Sequence, residues 1–188
     1  QAGMKAIVVG RNPGEAIPEP IALSIVPSSA MILGGKPLFV PAWAPKWAAR
    51  PVLAFRLGRL GKSIDPRFAR RYIDGVAAAM ILRPVLPDPD NRLDGLFHAF
   101  EGAMTLGPRL DLSPDGCYML KAGEISLGLG SEALDLDNVV AALSNYMTLQ
   151  MGDWLIPAIT PAEIPAEPET TIRISVNDTD GALTVRLK

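Results

Sequence analysis

The chain has one cysteine and one histidine in 188 residues. A lone Cys117 excludes a disulfide within the chain and is compatible with a reducing compartment, so the cytoplasm is the expected location. A zinc centre needs several His or Cys ligands, which this sequence cannot supply. A Ser-His-Asp or Cys-His apparatus would have to use His98, and nothing around Cys117 in "PDGCYML" resembles an activated thiol. Long apolar runs are also missing. None reaches the length of a membrane span, and "MKAIVVG" near the start is too short for a signal sequence and has no cleavage pattern. The opening "QAG" has no initiator Met and reads as a processed end or an expression scar. Net charge is −2 with both signs mixed along the chain, so no basic block points to nucleic acid or an anionic membrane. The most informative absence is local: no Asp or Glu occurs between Glu19 and Asp65.

Proline is abundant instead, with 18 residues, roughly twice the usual share. It gathers in "NPGEAIPEP", "RPVLPDPDN" and "IPAITPAEIPAEPE". Proline gives no donor to a ladder and punctuates strands, so the pattern suggests a loop-rich β protein. With 48% hydrophobic and 20% charged residues, the chain can bury a sizeable core as one domain, residues 1–188.

Strands are expected at Met4–Gly10, Pro20–Val26, Lys36–Pro41 and Arg50–Arg59, the last with Val52, Ala54 and Arg56 on one face and Leu53, Phe55 and Leu57 on the other. "DPRFARRYIDG" predicts a helix capped by Asp65 with Pro66 in first position, ended by Gly75, its apolar stripe being Phe68, Tyr72 and Ile73. "VAAAMILRPV" suits a buried strand, its alanines leaving a helix open. Residues 84–96 form a polar, proline-rich loop, and "GCYMLKAGEISLGLG" reads as a hairpin turning near Ala122–Gly123. "LDNVVAALSNYMTL" is the clearest helix, with Asp137 as cap and Val140, Leu143 and Met147 at helical spacing. "GDWLIPAI" is a strand, and "TTIRISVNDTDGALTVRL" is two strands around a turn. The sum is a strand-rich α+β domain with two or three short helices.

Local motifs do not name a chemistry. "PDPDNRLD" gathers three aspartates but lacks the central Gly and final Glu of a calcium loop, so it reads as solvated loop. "GLGSE" and "VVGRNPGE" do not have phosphate-loop spacing.

The order of segments, however, resembles the fumarylacetoacetate hydrolase family over nearly the whole chain. "IVVGRNPGEAIPEP" resembles that family's strand followed by Gly-x-Asn-Tyr and His-x-x-Glu. "PIALSIVPSSAMILGGKPLFVP" is similar to Phe-x-Lys-Pro, Ser-Ser and Gly-x-Pro-Ile. "RPVLAFRLGRLGKSI" resembles the Glu-x-Glu strand running into Gly-Lys, and "FARRYIDGVAAAMIL" the helix and strand leading to an Asp. "HAFEGAMTLGPRL" is similar to Lys-Gly-Phe-Asp followed by Leu-Gly-Pro. "MTLQMGDWLIPAITPAEI" resembles Thr-Leu-x-x-Gly-Asp followed by Gly-Thr-Pro-x-Gly. The resemblance implies a mixed β roll, a pseudo-barrel with short flanking helices. It also implies a homodimer, for which Trp43 and Trp47 are candidates at an interface or, equally, in the core.

The departures fall on the chemistry. The resemblance implies a divalent ion on the Glu-x-Glu pair and the later Asp, and those positions hold Arg50, Val52 and Ile81. The His of His-x-x-Glu becomes Ala16 while Glu19 remains. The Lys of Phe-x-Lys-Pro becomes about Ile25. The Lys and Asp of Lys-Gly-Phe-Asp become His98 and Glu101. Ile159 replaces the Gly of Gly-Thr-Pro, and Thr160 and Pro161 remain. The family's substrate-facing insertion is trimmed to "PVLPDPDNRLDG". Two expectations follow. One is a catalytically degenerate member with no metal and no cofactor, which binds a small molecule or supports assembly. The other is a metal-independent hydrolase or isomerase of small oxo acids, using Glu19, His98, Glu101 and Thr160, with Arg50 holding a substrate carboxylate.

Overall fold

The computed structural model describes residues 4–88 and 90–188; the opening Gln1–Gly3 and Pro89 of the proline-rich loop lie outside the described residues. Strands β1 (Lys5–Val9), β2 (Leu23–Pro27), β3 (Met31–Leu33), β4 (Lys46–Leu57), β5 (Ile73–Val85) and β6 (Met104–Leu106) occupy the first part. Then come β7 (Tyr118–Ala122), β8 (Ile125–Leu129), helices α1 (Ser131–Leu134) and α2 (Leu136–Tyr146), and strands β9 (Trp154–Ile156), β10 (Ile164–Pro165), β11 (Thr171–Val176) and β12 (Thr179–Arg186). The result is a strand-rich α+β fold. One sheet runs β2-β1-β9-β4-β5-β6-β3 with β10 added to β4, and a second runs β12-β11-β7-β8. The larger sheet is mixed, because β1–β9 and β3–β6 are parallel while its other pairs are antiparallel.

The core follows from β4 and β5, both apolar on two faces, as strands covered on both sides must be. Phe55 is fully buried and meets Tyr118 of β7 edge to face at 5.4 Å between ring centroids. That contact seats the second sheet on the Leu53–Phe55 face of β4. Strand alternation sends Arg50, Val52 and Ala54 to the opposite face. Gly107 lets the sheets close: a Cβ there would lie 2.8 Å from the Ala182 carbonyl and 3.0 Å from that of Ala78, contacts with backbone that cannot give way. No helix among the described residues is long and apolar enough to cross a membrane.

Several sequence expectations change. Lys36–Pro41 is not a strand of either sheet. It runs beside the chain end, with Leu38 N–H donating to Arg186 and Val40 N–H to Lys188. Pro37 and Pro41 bracket this run and withhold donors, which limits it to an isolated bridge. The expected helix from Asp65 is a 3₁₀ turn, Pro66–Tyr72, although Asp65 does cap it by accepting from the Arg67 N–H. Its repeat of three residues turns Ala69 inward. Phe68 is therefore exposed rather than part of an apolar stripe, flanked by the guanidiniums of Arg67 and Arg71. The cap position of α2 is Asp135, not Asp137, because Asp135 makes a left-handed turn (φ 47°) between α1 and α2. Asp137 sits in the first turn, where a negative charge suits the helix dipole, and pairs with Arg70 at 3.0 Å. "VAAAMILRPV" is strand, inside β5.

These contacts make unequal demands on stability. Phe55→Ala is expected to cost about 3–5 kcal/mol through loss of burial and a residual cavity. Phe68→Ala should cost at most about 1 kcal/mol, the worth of an exposed cation–π contact. Urea denaturation of both variants checks the contrast; equal losses would contradict it.

Candidate functional site

The pairing of β4 with β5 sets Arg50 directly opposite Ile81, and Val52 opposite Ala79. Arg50, Val52 and Ile81 are thus neighbours on one face. Val52 and Ile81 are buried, with 0% and 6% of their surface exposed. Arg83, two residues beyond Ile81 and opposite Ala48, shares that face.

Both arginines converge on Glu163. Arg83 grips it as a fork, Nε donating to Oε1 and Nη2 to Oε2, each at 2.8 Å. Arg50 approaches Oε1 from the other side, through Nε at 2.7 Å and Nη2 at 2.6 Å. Such bidentate, charge-assisted contacts are among the stronger hydrogen bonds available to a protein. The Arg83 contacts, and after them those of Arg50, hold the Glu163 carboxyl below the usual glutamate range against the opposing effect of burial. The Arg83 guanidinium is correspondingly stabilised in its charged form by Glu163.

Glu163 reaches this face from a strap between β9 and β11. The Thr160 hydroxyl, almost wholly buried, donates to the Pro51 carbonyl at 2.9 Å. Ile164 and Pro165 then pair with Ala49 and Ala48, and Ala166 N–H donates to Trp47. The strap therefore follows the edge of β4 opposite β5, next to the Phe55–Arg56 stretch that β9 pairs, and aims Glu163 across it. In the segment "ITPAEI", Glu163 stands where the motif Gly-Thr-Pro-x-Gly ends in glycine. The β4 face holds Arg50 and Val52 where the resemblance implies carboxylates, and the strap holds Glu163 where it implies glycine.

The other candidate residues lie apart from this cluster. Glu19 lines a hollow of about 320 Å³ against α2, with Asn138, Asn145 and Tyr146. Glu101 lines another, of about 490 Å³, with Met31, Leu33 and Phe39. His98 is half-buried, and its Nδ1 has no hydrogen-bond partner among the described residues. Burial lowers its pKa, with Asp94 pulling the other way. Thr160 is engaged with the backbone of β4. Trp47 is buried against Trp43 and Phe100 and donates to the Pro41 carbonyl, whereas Trp43 remains partly exposed. Only Arg50 and the two other positions matched to metal ligands are brought together by the sheet.

Arg83 and Glu163 escaped the sequence reading. Arg83 follows Ile81 at strand spacing, so its face was readable once β5 was placed. Glu163 was hidden because its partners are 113 and 80 residues away. Arg11 and Asp153 were also missed, and both organise the surrounding backbone. Arg11, buried beside α1, donates to the carbonyls of Pro157, Glu15, Ala133 and Leu134. Asp153 accepts from the backbone N–H of Lys5 and Gln150 and pairs with the Lys5 ammonium.

A divalent cation such as Mg²⁺ calls for about six oxygen donors, with carboxylates supplying charge. This face presents two guanidiniums, two aliphatic side chains and one carboxylate already engaged by both arginines. The set does not fit the ion. Among the described residues, no group of three or more His, Cys, Asp or Glu side chains gathers in a way that could hold one.

The depressed Glu163 pKa fixes the sign of a pH effect. Its ion pairing adds stability above the ordinary glutamate value, about 4.3, and loses it as pH falls through the lower folded value. Glu163→Gln should therefore be less stable than wild type by about 1–2 kcal/mol near neutrality, allowing for partial solvent screening. The gap should close in acid. Thermal unfolding across the acid range checks this, and a gap independent of pH would contradict it.

No family model and no curated protein sequence matches the chain. Solved structures do match. The 5-carboxymethyl-2-hydroxymuconate delta-isomerase of Mycobacterium smegmatis is similar with a TM-score of 0.81 at 23% identity, over 97% of this chain and 76% of that one. The fumarylpyruvate hydrolase of Pseudomonas aeruginosa, solved with Mn²⁺ and pyruvate, gives 0.77 at 19% identity, over 97% and 88%. A Yersinia pestis protein described as belonging to the fumarylacetoacetate hydrolase family gives 0.77 at 17% identity, over 100% and 95%. Identity at this level speaks for architecture alone, and the architecture is the one its segments resembled: the chain has the fold of the fumarylacetoacetate hydrolase family.

Proposed function

We propose that this chain keeps the scaffold of oxo-acid hydrolases and isomerases without their divalent-metal chemistry, and acts by binding a small molecule or by supporting an assembly. The Arg50–Glu163–Arg83 cluster carries this reading. It covers the face on which the sequence resemblance put the ligands of a metal, and its net charge is +1. A dication about 5 Å from a single net positive charge, at an effective dielectric near 20, is repelled by about 7 kcal/mol before screening. Solvent at the partly exposed Arg83 reduces that figure but not its sign. Val52 and Ile81 offer no side-chain oxygen to offset it.

The separation of Glu19 and Glu101 into different hollows supports the same reading, because general acid–base work needs groups within reach of one substrate. The homodimer expected from the resemblance is part of the proposal. Light scattering at micromolar concentration should return twice the 20.0 kDa chain mass, and a monomer would count against it.

Calorimetric titration with Mg²⁺ and Mn²⁺, run beside spectrophotometric assays on acylpyruvates, tests the central claim. No saturable heat and no metal-stimulated turnover are expected. Metal-stimulated cleavage of any acylpyruvate would overturn the proposal.

A further inference from the structure

We propose that Arg50 and Arg83 form a binding site for a small organic carboxylate, and that Glu163 is its built-in occupant, which a free carboxylate displaces. The inference rests on the metal-free reading of the same face and adds to it a ligand class and a mode of control.

Geometry is the first support. One carboxylate lies between two guanidiniums, with every N–O contact described above at 2.8 Å or less. This is how an arginine clamp holds a carboxylate ligand. Charge is the second. Two arginines share this anion at close range and leave +1 over, whereas at Asp74, also shared by Arg56 and Arg109, the second arginine stands off at 3.7 Å. Arg50 and Arg83 stand diagonally across adjacent strands, where like charges repel unless an anion lies between them. A dicarboxylate would neutralise the pair completely, which Glu163 does not.

The attachment of the strap is the third. Residues 157–168 contain four prolines, Pro157, Pro161, Pro165 and Pro168. None can donate a backbone hydrogen bond. Apart from the Glu163 carboxylate itself, the strap's hydrogen bonds to β4 among the described residues come from the two residues of β10, the Ala166 N–H and the Thr160 hydroxyl. Glu163 competes with any ligand as a tethered group, at an effective concentration in the millimolar range. The affinity of the clamp is therefore masked in the resting protein and rises when Glu163 is withdrawn.

The test uses sodium malonate against sodium chloride at matched ionic strength. Isothermal titration compares wild type, Glu163→Gln and the double variant Glu163→Gln/Arg83→Gln. Malonate should bind Glu163→Gln at least about tenfold more tightly than wild type, and the double variant should lose that gain. Equal affinity in wild type and Glu163→Gln, or a gain that survives in the double variant, would overturn the proposal. Should Glu163→Gln fail to fold, wild type decides: the Arg50 and Arg83 Nε–H resonances must move with malonate and not with chloride, and resonances that stay put refute the site. Failure here leaves the metal titration unaffected, since a clamp that ignores malonate can equally refuse Mg²⁺.

Discussion

The long antiparallel pairing of β4 with β5 is the constraint on which the molecule depends. Its register runs from Lys46 opposite Val85 to Leu57 opposite Ile73. Other layers are placed relative to it: the second sheet through Phe55 and Tyr118, β9 and the proline strap along the β4 edge, and β6 along the β5 edge. Because both faces are covered, each side chain on this ribbon has fixed neighbours. A polar group there needs a partner carried by some other part of the chain.

That requirement explains the charge arrangement. Arg50 and Arg83 sit where exposure is partial, and both are satisfied by one glutamate from a segment that is remote in sequence. Arg11 solves the same problem differently. Its guanidinium is buried among neutral carbonyls, with desolvation lowering its pKa and the nearby Asp135 and Glu15 opposing that effect. It ties the loop after β1 to the ends of α1 and β9. One cluster balances charge with charge, and the other balances charge with backbone dipoles.

The parts of the fold set by local pattern were legible. Lys5–Val9, Trp154–Ile156 and the strands within Thr171–Arg186 read from β-branched runs and turn residues, β4 from its two apolar faces, and β5 from an apolar run whose alanines left helix open. What local pattern left ambiguous came from tertiary partners. Met31–Leu33 is too short to carry a periodicity of its own and becomes a strand only beside β6. Lys36–Pro41 looked like a strand, but its donors are split by prolines and its partner is the chain end. At the site, motif order placed Arg50, Val52 and Ile81 on common ground, which the β4–β5 register made into one face. Glu163 could not be read, since nothing near it in sequence marks a carboxylate that bonds two arginines from strands far upstream.

The strap also shapes the paths by which this sequence can change. With Glu163 aimed across β4, replacing Arg50 by an acidic residue would bring two carboxylates together and leave only Arg83 to balance them. Replacing Glu163 first would leave two guanidiniums facing each other without an anion. Either order passes through an electrostatically unfavourable intermediate, so substitutions at the two positions are coupled. A carboxylate on a proline strap thereby works as a ratchet, holding the sheet in its present charge state even where acidic residues on β4 would be tolerated by the backbone.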